Sequence, residues 1–175
     1  MFRLIASHDR RLARRLNRWE APHWVRHWMM IASRGGDGWL WCTIGLILLL
    51  WGGPRRFDAL ATGFAAVAVS QLAFRLTKRI TGRERPCVDE PHAWSVLLPP
   101  DRFSFPSGHS ITAFAIATTI GLYYPALMVG LMFCALSVAA SRVILGLHYA
   151  SDVVAGMLIG ILIGSGAYTW IPQLI

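Results

Sequence analysis

The sequence predicts an all-α, integral-membrane helical bundle of about five spans, preceded by an N-terminal amphipathic helix at the interface. Three observations carry this. Hydrophobic residues fill 55 % of the 175 positions and charged residues 15 %, with a mean hydropathy of +0.47, which is too apolar for an ordinary soluble domain. The apolar residues fall in runs long enough to cross, or nearly cross, a hydrocarbon layer. The eight Trp and four Tyr are many for this length and suit the aromatic belt of a membrane interface.

Residues 1–34 form a first unit, the most polar part of the chain, with eight arginines from Arg3 to Arg34 and Trp19, Trp24 and Trp28 among them. Asp9 suits the cap of a first helix. Trp24 to Ile31 reads as an amphipathic helix lying in the headgroup plane, its Arg and His content arguing against a crossing. His23 and His27 have a spacing that a metal could use, but no carboxylate or Cys accompanies them, so no metal is expected. The segment lacks the apolar core and cleavage site of a signal peptide.

Gly35-Gly36-Asp37-Gly38 breaks that helix and opens the second unit, residues 35–175. Trp39 to Trp51 is a first span, adequate in length once its flanking glycines sit at the interface. Gly52-Gly53-Pro54-Arg55-Arg56 is a turn, and Phe57 to Thr77 a second span. Residues 78–105 are the one long loop, whose apolar centre, Pro91 to Pro100, reads as interfacial packing in preference to a lid. Ser110 to Tyr124, Ala126 to Ala140 and Ser151 to Ile171 complete the set. Gly156, Gly160 and Gly164 form a small-residue stripe for close helix packing, read as internal to a monomer in preference to a dimer seam. Cys42, Cys87 and Cys134 are odd in number and lack metal-ligand spacing, so no disulfide framework is expected. The net charge of +8 is not laid out as a basic stripe with interleaved aromatics. The expected partner is therefore an anionic lipid and its bilayer, not nucleic acid.

The chemistry concentrates in Ser141-Arg-Val-Ile-Leu-Gly-Leu-His148-Tyr-Ala-Ser-Asp152. On a helix, His148 and Asp152 would share one face. A carboxylate beside an imidazole fixes its tautomer and turns the other ring nitrogen into a nucleophile or base. Arg142 adds a planar fork suited to phosphate oxygens. The same residues also suit a plain helix end snorkelling to water, and this stretch alone does not separate the two.

Counting crossings does separate them. Lys78 and Arg85 follow the second span, Pro106 to His109 precede the third on the same loop (active-site loop 78–109), and the fourth span returns the chain to that side at Ser141-Arg142. Polar residues near spans are usually functional or paired, and here three clusters share one face. Lys78, Arg85 and Arg142 supply cations. Ser107 and Gly108 open a helix whose free amides form an anion site. With a carboxylate near His148 only, His148 is suited to attack phosphorus and His109 to protonate the leaving oxygen. The cations would hold the equatorial oxygens without a metal or other cofactor.

Lys78-x6-Arg85-Pro86, Pro106-Ser107-Gly108-His109 and Ser141-Arg142-x5-His148-x3-Asp152 together resemble the three signature motifs of the type 2 phosphatidic acid phosphatase superfamily, complete and in order. The resemblance runs from about Gly36 to the C-terminus. It implies a helical membrane enzyme that forms a phosphohistidine at His148, oriented by Asp152, with His109 as leaving-group acid. Lys78, Arg85, Ser107, Gly108 and Arg142 correspond to the phosphate-binding set, and the activity is expected to be metal-independent. Soluble vanadium haloperoxidases share the motifs, but five apolar spans argue against that version. Many bacterial members have a sixth span ahead of the amphipathic segment, where this chain has its arginine-rich tail.

The expected function is hydrolysis of a lipid phosphate or diphosphate, with undecaprenyl diphosphate first and phosphatidate or phosphatidylglycerophosphate as alternatives. A lipid phosphotransferase and a non-enzymatic binder or transporter of anionic lipid compete, although a binder has no use for a carboxylate behind His148. The resemblance implies a bacterial inner membrane with the site facing the periplasm. The positive-inside rule, applied to the tail, points to the cytoplasmic face.

Overall fold

In the computed structural model the chain is described over residues 2–86 and 103–173, without the side chains of residues 2–4, 79, 80 and 172. The expected segment Pro91 to Pro100 and Cys87 lie outside the described residues. Seven α-helices are described: α1 Phe2–Asn17, α2 His23–Arg34, α3 Leu40–Trp51, α4 Arg56–Thr81, α5 Gly108–Tyr123, α6 Met128–Ile144 and α7 Ala150–Trp170. The one strand-like feature among them is an isolated antiparallel bridge between Glu84 and Phe103.

The outward faces are apolar. Phe57, Phe64, Leu72 and Leu76 on α4, Val129 and Phe133 on α6, and Val154, Leu158 and Leu162 on α7 are all exposed. A water-facing bundle would bury them; a bundle in hydrocarbon has no reason to. Among the described residues, Arg56–Lys78, Pro125–Ile144 and Ala150–Trp170 are long and apolar enough to cross a membrane by themselves. The other two expected spans are helical but shorter, 12 residues in α3 and 16 in α5. Gly35–Trp39, a π-helical turn with Gly38 at φ +127°, extends α3 back towards α2. Gly38 is non-helical, so the glycines separate α2 from α3 at a kink, as the sequence predicts. Twelve of the sixteen residues of α5 are buried and none is exposed, so α5 is the central post around which α4, α6 and α7 stand.

The glycine stripe is what lets α7 meet α5. A Cβ at Gly156, Gly160 or Gly164 would run into the carbonyl oxygen of Ser107, Ile111 or Ala115 respectively. Those partners are also four apart, so two backbones lie in register against each other. In lipid, where apolar transfer adds nothing, such close packing is the main source of helix association.

The N-terminal segment corrects one expectation. Asp9 does not cap a helix: it lies in the middle of α1, 6 % exposed. α2 turns Met29 and Ser33 inward, with Met29 packed against Leu145 and Leu147, and leaves Trp24 and Ile31 exposed. His27 Nδ1 bonds the His23 carbonyl one turn back at 2.8 Å.

Overpacking a tight helix contact destabilises by roughly 1–3 kcal/mol. Gly160→Leu is expected to lower the thermal midpoint of the detergent-solubilised protein by several degrees. Gly130→Ala, whose Cβ would meet open space, leaves it unchanged. Equal midpoints for both variants would refute the α5–α7 contact as the tight one.

Candidate active site

Four helix ends and the α2–α3 kink converge at one end of the bundle. α4 stops at Gly82, whose φ of +56° is the left-handed conformation that glycine adopts freely. The chain beyond it is held to the segment entering α5. Ser104 N–H donates to the Arg83 carbonyl at 2.7 Å, and Ser104 Oγ donates to the Glu84 carbonyl at 3.0 Å. Arg85 and the start of α5 are thereby fixed together, although they lie far apart in sequence.

Between α6 and α7 the chain turns through Gly146, at φ +69°. The Arg142 carbonyl accepts from the N–H groups of both Leu147 and His148 at 3.0 Å. His148 therefore sits in the turn ahead of α7, not on a helix with Asp152 as its spacing suggested. Its ring is 3 % exposed. Nδ1 makes a 2.6 Å hydrogen bond to the Ser104 carbonyl, and Nε2 lies 3.0 Å from Arg85 Nη1. A carbonyl only accepts, so Nδ1 carries the hydrogen and Nε2 the lone pair. Burial, then the charges of Arg85 and Arg142, holds this imidazole well below its ordinary pKa, so the ring is neutral near pH 7.

Asp152 is fully buried and lies 3.9 Å from His148 Nδ1, too far for a hydrogen bond. Its oxygens are taken elsewhere. Oδ2 accepts from Tyr149 N–H at 2.8 Å, closing the first turn of α7, and Oδ1 accepts from Arg83 Nη1 at 2.7 Å. The expected direct clasp is thus replaced by a carboxylate behind the ring, with Ser104 setting the tautomer. Arg83 also donates to Ser151 Oγ at 2.8 Å and to Asp9 Oδ2 at 2.7 Å, and its guanidinium lies 4.1 Å over the Tyr149 ring. Asp9 further accepts from Ser151 N–H and Oγ, so α1 is tied to the start of α7.

His109, in the first turn of α5, places Nε2 2.7 Å from Asp37 Oδ1. Arg142 is 5 % exposed and donates from Nη1 to Ser33 Oγ at 2.7 Å. Arg85, Gly108, His109, Arg142 and His148 together line one end of a cavity of about 620 Å³. The rest of its wall is apolar, including Trp41, Leu48, Leu60, Phe74, Ile116 and Ile120. From His109 to Ile120 along α5 it runs about 16 Å at the helical rise. Phe64 lines it and is itself 78 % exposed, so the cavity reaches the lipid-facing surface.

Two of the expected phosphate ligands do not line it. Ser107 Oγ caps α5, accepting from Ser110 Oγ at 2.9 Å and Ser110 N–H at 3.4 Å, which is the usual use of serine there. Lys78 Nζ stands 4.5 Å over the Phe74 ring. Gly108 does line it, and a Cβ there would press on Phe74 at 3.0 Å; its bareness also serves packing. Sequence reasoning missed Arg83, Asp37, Ser33 and Ser104. Arg83 lies inside the first motif at an unspecified position, and Asp37 was read only as part of a break. Ser104 acts chiefly through its backbone, which carries no residue-type signal. No group of His, Cys, Asp and Glu among the described residues has a metal-binding arrangement.

A family model for the PAP2 superfamily matches residues 59–175. The chain is 31 % identical over 151 residues to a lipid A 1-phosphatase of Rhizobium etli, covering 75 % of this chain and 64 % of that protein. It is 35 % identical over 132 residues to a decaprenylphosphoryl-5-phosphoribose phosphatase of Mycobacterium tuberculosis, covering 71 % and 70 %. An undecaprenyl-diphosphatase of Sulfolobus acidocaldarius is 27 % identical over 134 residues, covering 75 % of this chain and 64 % of that protein. The chain thus spans a little under two thirds of the first relative's length. Among solved structures, a transmembrane PAP2-type phosphatidylglycerolphosphate phosphatase from Bacillus subtilis superposes with a TM-score of 0.73 at 21 % identity, over 98 % of this chain and 88 % of that one. Aquifex aeolicus LpxE gives 0.75 at 23 %, over 91 % and 94 %. These two likenesses establish the membrane-bundle fold, and the family match covers well over half of the sequence: the chain belongs to the PAP2 superfamily.

Proposed function

We propose that this protein is a membrane lipid phosphatase that cleaves a lipid phosphate or diphosphate through a phosphohistidine at His148. The observation that carries the reading is the single cavity joining two histidines and two arginines to an apolar trough that reaches lipid. A soluble phosphate ester has no use for such a trough, whereas a lipid entering sideways fills both ends. The named relatives all act, by their names, on phosphorylated lipids.

In this reading Arg85 transfers its hydrogen bond from His148 Nε2 to a phosphate oxygen, and Arg142 holds a second oxygen. The freed lone pair attacks phosphorus in line with the lipid oxygen. As the P–O bond breaks, that oxygen takes a proton from His109; neutral His109 then draws a proton from the water that releases phosphate. Asp152, behind His148, offsets the positive charge that the ring gains on phosphorylation. The guanidiniums stabilise the transferring group's charge, so the mechanism proceeds without a metal. A polyprenyl diphosphate such as undecaprenyl diphosphate is the first candidate, its slender chain suiting a trough of this length. Lipid A phosphate is the second, favoured by the Rhizobium etli relative. The protein is placed in a bacterial inner membrane with its site facing the periplasm. This follows the family resemblance over the arginine count of α1 and α2, which join the site's end through Asp9–Arg83 and Ser33–Arg142 respectively.

His148→Asn is expected to lower phosphate release from undecaprenyl diphosphate at least about a thousandfold, while EDTA leaves the wild-type rate unchanged. Near-wild-type release by the variant would remove the nucleophile assignment, and a loss restored by divalent ions would remove the metal-free mechanism. In intact cells carrying Cys42→Ser and Cys134→Ser, Cys87 is expected to react with an impermeant maleimide; labelling only after lysis would place the site in the cytoplasm.

Protonation gives a separate test. The unfolded chain takes up a proton on His148 near pH 6.5, whereas the folded ring does so only well below that. The unfolded state then binds more protons, so this contribution to stability is lost as pH falls below about 6.5. Thermal midpoints are expected to drop between pH 7.5 and 5.5 by less in His148→Asn than in wild type. Identical drops would mean that His148 titrates normally.

A further inference from the structure

Asp37 belongs to none of the three motifs, yet its carboxylate holds His109 Nε2 at 2.7 Å. The kink that carries it is packed into place. A Cβ at the preceding Gly36 would meet Val138 Cγ1 at 2.7 Å and His109 Cδ2 at 3.1 Å. The backbone thus lies directly against α6 and the His109 ring. Gly38, at φ +127°, then redirects the chain into α3. Asp37 also lines the catalytic end of the cavity.

We propose that Asp37 is the positioning residue for the leaving-group acid, fixing His109 so that the proton it exchanges is the one on Nδ1. An ionised carboxylate only accepts, so Nε2 keeps its hydrogen whether the ring is charged or neutral. The proton that moves must be the other one. The arrangement mirrors His148, where a carbonyl holds Nδ1 and leaves Nε2 to react. Burial and the charges of Arg142 and Arg85 hold the His109 ring below its ordinary pKa, and the Asp37 carboxylate acts against them in favour of the protonated ring.

The inference rests on the phosphatase reading. In the first step His148 Nε2 bonds to phosphorus, the P–O bond to the lipid breaks, and its electron pair passes to the lipid oxygen. That oxygen takes the Nδ1 proton, and His109 is left as the neutral Nε2–H form, still held by Asp37. In the second step Nδ1 takes a proton from water as water's oxygen bonds to phosphorus and the P–N bond breaks. Both partners are restored.

Protonation of the leaving oxygen matters for an alkoxide and little for a nitrophenolate, which leaves unaided. The test therefore compares dodecyl phosphate with 4-dodecyl-2-nitrophenyl phosphate on the purified full chain in detergent, read as kcat/KM, which reports the first step. Asp37→Asn is expected to lower kcat/KM for the alkyl ester about 10²-fold and for the aryl ester far less. Asp37→Glu restores much of the alkyl rate. Substantial aryl hydrolysis by Asp37→Asn also shows that the variant is folded. Equal losses on both esters, or no loss on either, would overturn the role of Asp37. Wild-type rates in His148→Asn would instead overturn the phosphatase reading, and this inference with it.

Discussion

The hydrogen bond from His148 Nδ1 to the Ser104 carbonyl sets what the rest of the site can do. It leaves the ring's lone pair on Nε2, beside Arg85 and towards the cavity. A backbone carbonyl is an unconditional acceptor: it cannot be protonated near neutral pH and cannot swing away. Its position depends on the short antiparallel pairing of Arg83–Arg85 with Phe103–Ser104, at the two edges of the long loop. The His148 tautomer is therefore a consequence of how α4 and α5 are joined, and not of any one side chain.

Buried charge is the second constraint. Arg85, Arg142, His148 and Asp152 are each 5 % exposed or less in a bundle whose outer face is apolar. Such groups are tolerated only when paired and hydrogen-bonded. The pairing runs outward in a chain: Asp152 is held by Arg83, and Arg83 by Asp9. Removing a member would leave a buried charge uncompensated. Through Asp9, α1 is thereby bound into the polar end of the bundle.

The same separation of polar and apolar material shapes the cavity. Charged side chains gather at the helix ends, where water is close, and the trough below them is walled by aliphatic and aromatic groups of α3, α4 and α5. The substrate class proposed for the protein follows from this division, since a lipid phosphate has the same two halves. α3 being short and kinked at Gly38 brings Asp37 over the polar end, where a straight helix would have carried it elsewhere.

The sequence by itself determined the all-α membrane class, the order of the helices, the glycine stripe along α7, and the identity of most polar groups at the cavity's end; that the stripe meets α5 came from the structure. These depend on composition, period and spacing, which are local. Only the tertiary structure decided how those groups are held. His148 lies in a turn, so Ser104 and not Asp152 takes its Nδ1 hydrogen. Ser107 is spent on capping, and Lys78 stands over Phe74 instead of lining the cavity. Asp9 and Asp37 became partners of residues more than seventy positions away. Such pairings are set by where helix ends meet in space, and a backbone acceptor has no letter in the sequence to announce it.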